Sequence, residues 1–337
     1  MKKIIMLTIV ITLIFSGMAQ AQFSKRGTSG AQFLKIGVGA RAQGMAGAFT
    51  AIANDASAIY WNPAGVAKVQ QNEILFSYTD WFADISHTFV GFVYKSATLG
   101  NFGFSLTALT MGQMEVTTTE DPQGTGTYFN ASDFAVGITY AKNLTDRFAF
   151  GVKMKLIRES IWDMSATGIA VDLGTIYEIG FNGLKLAMNM ANFGPELRFT
   201  GSSLLTQYNA FPEAGNVAPV DANMKTNPYP LPMTFRFGLS YDWNQIGEKV
   251  GVLGSVEFVK TNDRAEAVII GAETKLLEMF FLRAGINTVQ EEELEEGFSA
   301  GVGMSFNVGS NKGTFDYAFT DFGRLQSIHR FSFAFSF

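Results

Sequence analysis

The chain ends Phe331-Ser332-Phe333-Ala334-Phe335-Ser336-Phe337, with a phenylalanine at every second position. A strand has a period of two, so the four rings share one face and only small residues occupy the other. The same alternation recurs upstream. Phe148, Phe150, Val152, Met154 and Leu156 alternate with Ala149, Gly151, Lys153 and Lys155, and Met233, Phe235, Phe237, Leu239 and Tyr241 with Thr234, Arg236, Gly238 and Ser240. Further repeats run through Leu184 to Met190, Phe298 to Phe306 and Phe315 to Thr320. A sandwich core can hide one such face, but strand after strand with glycine, serine, threonine or charge opposite is the pattern of a transmembrane β-barrel. A lysine or arginine turned to lipid at mid-depth costs roughly 2 to 4 kcal/mol, so Lys153, Lys155 and Arg236 are expected in the lumen.

From residue 73 to residue 337 we count about fourteen period-two segments bounded by turn residues. An even count puts both ends of the barrel on the periplasmic side. Candidate periplasmic connections are short, such as Ser96 to Leu99 and Leu277 to Met279. Among the outward ones, 112 to 132 and 192 to 230 are long, and the latter carries Pro195, Pro212, Pro219, Pro228 and Pro230. Short turns inside and long loops outside are the rule for such barrels. The expected fold is all-β: a transmembrane antiparallel β-barrel of about 14 strands with an N-terminal hatch or plug segment in the lumen.

At the other end, Lys2 and Lys3 precede an apolar run from Ile4 to Phe15, and Ala19-Gln20-Ala21 follows. This reads as a secretory signal peptide over residues 1–21, because the run is well short of the roughly 20 residues a spanning helix needs. Residues 22–72 break the alternation and are crowded with small residues, among them Gly37, Gly39, Gly44, Gly47, Ala51 and Ala56. About fourteen strands enclose a lumen too wide for their own side chains to fill, and a compact small-residue segment suits a hatch or plug. The expected division is therefore a signal peptide at 1–21, a hatch at 22–72 and a barrel at 73–337.

Composition removes several function classes. The chain has no cysteine, which excludes a thiol nucleophile, a thiolate metal site and disulfides. A net charge of -5 gives no basic stripe for a nucleic-acid partner. The only histidines, His87 and His329, have no carboxylate and nucleophile at recognisable spacing, and no G-x-S-x-G elbow occurs, so no catalytic residue, metal ligand or cofactor site is assigned. Gly37, Gly39 and Gly44 lack the remaining spacing of a dinucleotide loop. The acidic cluster Glu291, Glu292, Glu293, Glu295 and Glu296 lacks calcium-loop spacing and reads as a solvated tip. Trp81, Phe82 and Trp162, near outward strand ends, read as interfacial girdle residues.

Two stretches carry a resemblance: Gly39-Ala40-Arg41-Ala42-Gln43-Gly44-Met45-Ala46-Gly47-Ala48-Phe49, and Asp55-Ala56-Ser57-Ala58-Ile59-Tyr60-Trp61-Asn62-Pro63-Ala64-Gly65. Over residues 36–66 the chain resembles the PorV/PorQ-type proteins of the FadL-like superfamily, outer-membrane transporters of long-chain fatty acids and other hydrophobic compounds. The Asn62-Pro63-Ala64 core resembles that superfamily's hatch motif, and Tyr60-Trp61 is the form seen in the PorV/PorQ branch. The resemblance implies a 14-stranded barrel with an N-terminal hatch in the bacterial outer membrane. It also implies a non-enzymatic role in type IX protein secretion, with outer-membrane lipids, translocon, sortase and cargo signal domains as partners. The alternative it carries is a FadL-like passive channel with a hydrophobic ligand.

The candidate site residues are those of the hatch motif, Arg41, Asn62, Pro63, Ala64 and Gly65. Proline fixes φ, and glycine is expected to permit a sharp reversal. Arg41 is expected to pair with a luminal carboxylate, Asp172, Glu257 or Glu273. The loops at 112–132 and 192–230 are the expected protein-binding surface or, in the channel reading, the surface that collects substrate.

Overall fold

The computed structural model describes residues 27–180, 183–210, 218–243, 250–289 and 297–337. The signal-peptide reading and the acidic cluster at 291–296 lie outside the described residues. Fourteen antiparallel strands form the wall: β1 Glu73–Asp80, β2 Ser86–Tyr94, β3 Asn101–Thr110, β4 Ala131–Asn143, β5 Phe148–Ile161, β6 Met164–Glu178 and β7 Lys185–Phe193. They continue as β8 Thr234–Trp243, β9 Val250–Thr261, β10 Ala267–Leu276, β11 Phe280–Val289, β12 Phe298–Val308, β13 Asn311–Asp321 and β14 Ser327–Ser336. Each strand pairs with its chain neighbours, and β1 pairs with β14 from Glu73 opposite Ser336 to Asp80 opposite His329. That last pairing closes the sheet, so no wall edge is left for another chain.

The alternation read from the sequence sets which way each side chain points. Phe76, Met154, Phe235, Val302, Phe331 and Phe333 are all exposed on the outer wall, where lipid covers them. Lys153 and Lys155 are buried toward the lumen, 4% and 7% exposed, and Arg236 also faces inward. Outward polarity is therefore costly. Phe333→Arg is expected to destabilise the folded barrel by about 2 to 4 kcal/mol, which urea titration in lipid vesicles measures.

The connections sort by end, with exceptions at the outer end. Toward the chain termini they are short, as at 95–100, 144–147 and 277–279. Toward the other end they include 111–130 and 194–233, but also a two-residue turn at Trp162 and Asp163. Trp162 takes φ 56°, the left-handed conformation that a tight hairpin needs. It is half-exposed against Phe129, at 5.7 Å between ring centroids.

One strand departs from regular pairing. Between β6 and β7 the register shifts, with Val171 opposite Phe193 but Leu173 opposite Met190. Asn192 sits in this bulge at φ 65°. Its backbone N–H donates to Asp172 Oδ1 at 2.7 Å, and Lys155 Nζ bonds Asp172 Oδ2 at 2.8 Å and Asn192 Oδ1 at 2.5 Å. A bulge bends its strand and ends the pairing. Beyond it the chain leaves the wall as the long connection 194–233.

Candidate functional site: the luminal hatch and the outer mouth

The described hatch residues fill the lumen. They form a 3-10 turn at Gln32–Lys35, helix α1 at Ala40–Gln43, helix α2 at Ala58–Trp61 and a 3-10 turn at Pro63–Lys68. Helices of one turn are too short to hold by propensity alone, so packing must hold them. Val38, Ala42, Met45, Phe49, Ile59 and Trp61 form their core, all at most 1% exposed. The segment begins at the outer mouth, where Gly30 N–H donates to the Pro230 carbonyl at 3.0 Å. It ends at the opposite rim, where Asn101 holds the Val66 and Val69 carbonyls at 2.8 and 3.2 Å.

Small residues make this insertion possible because wall glycines receive the hatch backbone. A Cβ added at Gly285 would lie 2.3 Å from the Met45 carbonyl carbon, and one at Gly271 2.7 Å from the Met45 oxygen. At Gly151 it would lie 2.3 Å from Pro63, and at Gly174 2.0 Å from Asn62 Oδ1. Gly91 faces Ala56, Gly103 faces Ile59, Gly238 faces Ala51, and Gly301 meets Gly44 backbone to backbone. The ring of contact is completed at Ser77, Ser332, Glu257, Asn189 and Asn143, with α1 packed on β13. The hatch thus touches all fourteen strands.

Arg41 is the main electrostatic tie. Its Nε and Nη2 meet Glu273 Oε2 and Oε1, each at 2.9 Å, and its Nη1 meets Asn54 Oδ1 at 2.7 Å and Asp55 Oδ2 at 2.9 Å. Arg283 Nε shares Glu273 Oε2 at 2.6 Å and reaches Asp316 Oδ1 at 2.6 Å through Nη1. Of the three expected partners, only Glu273 takes Arg41. Asp172 is held by Lys155, and Glu257 by Arg236 at 2.7 Å and by the Thr50 N–H at 2.8 Å.

Asn62 is fully buried and wired three ways. Its Oδ1 caps Ala64 N–H at 3.1 Å, and its Nδ2 donates to the Thr50 and Thr175 carbonyls at 2.9 and 3.1 Å. Pro63 opens the 3-10 turn, where its missing N–H costs nothing. Ala64 sits against the wall at Ala149 and Ile176. Gly65 corrects the expected reason for its glycine. It lies inside the turn at ordinary φ, and a Cβ there would come within 2.3 Å of the Ala53 carbonyl oxygen, so close approach and not chain reversal requires glycine.

Among the described residues, the two larger cavities beside the hatch share no lining residue. Toward the rim bearing the chain end is a vestibule of about 400 Å³ lined by Arg41, Asp55, Glu73, Glu273, Arg283 and Asp316. Toward the outer mouth is a cavity of about 120 Å³ whose lining includes Trp61, Trp81, Arg236 and Arg330. Trp81 therefore does not belong to a lipid-facing girdle. It lines the mouth, 4.8 Å from Phe82 and 5.7 Å from Phe322 between ring centroids, with Arg330 over its face at 5.8 Å.

The connection 194–233 is not wholly outward either. Leu197 and Tyr229 exchange two backbone hydrogen bonds of 2.9 Å. Leu197 and Leu231, each 2% exposed, pack down on Phe33, Leu34 and Ile36. Only the middle projects, as a two-stranded hairpin of Leu205–Tyr208 with Val220–Asn223. Leu205, Tyr208, Val220 and Met224 are more than half exposed on it. The connection 111–130 carries a smaller hairpin with Met114 and Tyr128 exposed.

The hatch's outer end is tied by Asp263, in the β9–β10 turn. Lys35 Nζ lies 2.9 Å from its Oδ2, Gln32 Nε2 donates at 2.8 Å, and Ser29 Oγ also donates. Burial pushes this carboxyl up, but the hydrogen bonds from Ser29, Gln32 and Lys35 and the Lys35 charge outweigh it and hold the carboxyl below its usual range. A depressed folded-state value means that the stabilisation is full above the unfolded carboxyl value, about 3.9, and fades as pH falls through the folded one. Protease access to residues 29–36 is therefore expected to rise below about pH 4, and Asp263→Asn should give high access already at pH 7. Proteolysis across pH 3 to 7 checks both.

The family model described as type IX secretion system protein PorV matches residues 19–213, more than half of the chain. No curated protein matches. Three solved barrels share the fold at low identity. The P. putida toluene transporter TodX matches at TM-score 0.58 and 13% identity, over 89% of this chain and 99% of that one. The Ralstonia pickettii toluene transporter TbuX matches at 0.56 and 12%, over 89% and 97%. The CymD monoaromatic hydrocarbon channel matches at 0.55 and 13%, over 90% and 98%. With its closed 14-stranded barrel and this match, the chain belongs to the PorV family of type IX secretion system proteins and resides in the bacterial outer membrane.

Proposed function

We propose that this protein is a non-enzymatic partner in type IX secretion that binds cargo signal domains or translocon and sortase components through its outer face. The observation that carries this reading is the strand pair of Leu205–Tyr208 with Val220–Asn223, which belongs to no barrel strand. Leu205, Tyr208, Val220 and Met224 on and beside it are turned to water, which is costly unless something covers them. Family membership supports the secretion context, and the hatch supports a binding role over conduction. It meets every strand through backbone, ion pairs and buried amide contacts, and both cavities carry charged walls. A passive channel for hydrophobic molecules instead needs an apolar route past the hatch. The motif residues Arg41, Asn62, Pro63, Ala64 and Gly65 serve in this reading to hold the hatch seated.

Deleting residues 202–226 leaves Leu197, Tyr229 and Leu231 in place, so the barrel is expected to assemble with its heat-modifiable gel shift intact. Export of signal-bearing cargo should fall at least tenfold by immunoblot of culture supernatant. Full export from the deletion strain would refute the assignment of that surface.

A further inference from the structure

The turn joining β5 to β6 carries a residue that its backbone does not favour. Trp162 and Asp163 alone connect the two strands, and Trp162 takes φ 56°, a conformation that two-residue turns normally give to asparagine or glycine. The strain is not offset by burial, since the residue is 50% exposed. Glycine would serve the turn better, so the indole itself needs a reason. Trp162 lines a shallow cleft of about 290 Å³ together with Gln113, Tyr128, Phe129, Asn130 and Asp163. Its backbone N–H donates to the Asn130 carbonyl at 3.1 Å, and its ring lies 5.7 Å from Phe129 between centroids. Tyr128 is 58% exposed. Ser202 and Ser203 fix the Asp163 carboxylate: Oδ2 accepts from the Ser202 hydroxyl and from the Ser203 N–H at 2.7 Å, and Oδ1 accepts from the Ser203 hydroxyl at 2.6 Å. A carboxylate has about four acceptor sites, so one stays open.

The lining is chemically selective. Three of its side chains are aromatic and the other three end in a planar amide or carboxylate, with no aliphatic chain, lysine or arginine among the described lining residues. Without a cation the cleft is poorly suited to an anion such as phosphate. Without aliphatic depth it differs from the packed pockets that hold protein anchors, and from the strand pair at 205–223, whose exposed side chains include Leu205 and Val220. A sugar ring fits both halves of the lining. Its C–H face rests on the electron-rich face of an aromatic ring, and its hydroxyls, each donor and acceptor, match amides that do both and a carboxylate that accepts. We infer that this cleft binds the sugar chain of a glycolipid in the surrounding outer leaflet, with Trp162 and Tyr128 as stacking platforms and Gln113, Asn130 and Asp163 as hydrogen-bond partners. A glycolipid is the favoured source because the cleft is built on a wall hairpin, at its outward tip, within reach of headgroups in the same leaflet. Its volume of about 290 Å³ lies at the lower end of the roughly 300 to 1,000 Å³ of small-molecule sites, so it takes a short part of the chain. This site goes beyond the proposed secretion role and does not depend on it.

The full chain purified in detergent would be titrated by biolayer interferometry against lipopolysaccharide extracted from the protein's native host, against its sugar chain released by mild acid, and against the lipid remainder. The intact glycolipid and the released chain are expected to bind, and the lipid remainder is expected not to. Trp162→Gly is expected to weaken both at least tenfold while the melting temperature holds or rises, because glycine suits the turn. Gln113→Ala, on an exposed side chain, should weaken them severalfold. If Trp162→Gly lowered the melting temperature and left sugar binding unchanged, the ring would serve only to pack on Phe129 and the inference would be overturned. Binding of the lipid remainder alone would overturn it in favour of acyl-chain contact, and binding of the released chain without the intact glycolipid would overturn the assigned source in favour of a free polysaccharide. Absence of any sugar binding would overturn it outright, and loss of cargo export in the Trp162→Gly strain would then make the cleft a protein contact. Export in the strain lacking residues 202–226 reads the secretion role separately, so either can fail without the other.

Discussion

Replacing Gly285 with leucine is expected to unseat the hatch. Its Cβ would lie 2.3 Å from the Met45 carbonyl carbon and 2.7 Å from the Ala46 nitrogen, both backbone atoms that cannot swing aside as a side chain can. Overpacking a well-filled site typically costs about 1 to 3 kcal/mol, and a clash with backbone belongs at the upper end. Because β11 is held by β10 and β12 through its own ladder, the strain should appear as loosening of residues 40–50 before loss of the barrel. Thermal unfolding should shift down by several degrees, and proteolysis within the hatch should precede it. Gly112, with nothing within 4 Å of an added Cβ, is the control, and Gly112→Leu should stay within about 0.5 kcal/mol of the parent. Equal melting of the two variants would mean that the hatch does not sit in this notch.

The second large effect is expected at Glu273. It accepts three guanidinium hydrogen bonds, two from Arg41 and one from Arg283, whose side chain is only 2% exposed. Removing one member of a buried ion pair costs about 3 to 5 kcal/mol, because the partner's charge is left without compensation. The vestibule beside Arg41 admits water, and Asp55 and Asp316 remain as partners, so Glu273→Ala is expected near the lower figure. Glu266→Ala breaks a pair with Lys260 whose side chains are 42% and 34% exposed, and should cost less than about 1 kcal/mol. Chemical unfolding of both variants in detergent measures the contrast. If Glu273→Ala were as mild as Glu266→Ala, the Arg41 network would be decoration and the hatch would be held by shape alone.

These two sites also show where the sequence was readable. The barrel was legible because its physics is local: period two fixes each residue's face, and the lipid penalty fixes which face is apolar. Lys153, Lys155 and Arg236 could therefore be turned inward without knowing what they would meet. The hatch was legible from residues too small to build a core of their own, and the wall glycines opposite them are the matching half of that signal. Partner choice was not local. Three luminal carboxylates are candidates for Arg41 in the sequence; Glu273 takes it, while Lys155 holds Asp172 and Arg236 holds Glu257. Such a choice depends on how far the hatch is threaded, which no period encodes.

The outer mouth was read least well, for the same reason. Leu197, Tyr229 and Leu231 belong to an irregular, proline-rich connection, and nothing in its spacing says that its two ends fold back over Phe33 while its middle projects. Trp81 resembled a girdle residue because it stands at a strand end. Only the closing contact with Phe322, far along the chain, turns it into the mouth. Asp263 lies in a short turn, and its role as an anchor for Ser29, Gln32 and Lys35 requires both the barrel's closure and the hatch's direction.

The most direct measurement of the proposed secretion role is affinity purification of the tagged protein from native outer membranes. Mass spectrometry would identify co-purifying proteins and extracted lipids, with the strain lacking residues 202–226 in parallel. Translocon or sortase components, or cargo sharing a C-terminal signal domain, are expected with the full chain and are expected to be lost with the hairpin. A solitary barrel that carries one defined hydrophobic compound, and carries it equally with and without the hairpin, would contradict that role and make the protein a channel.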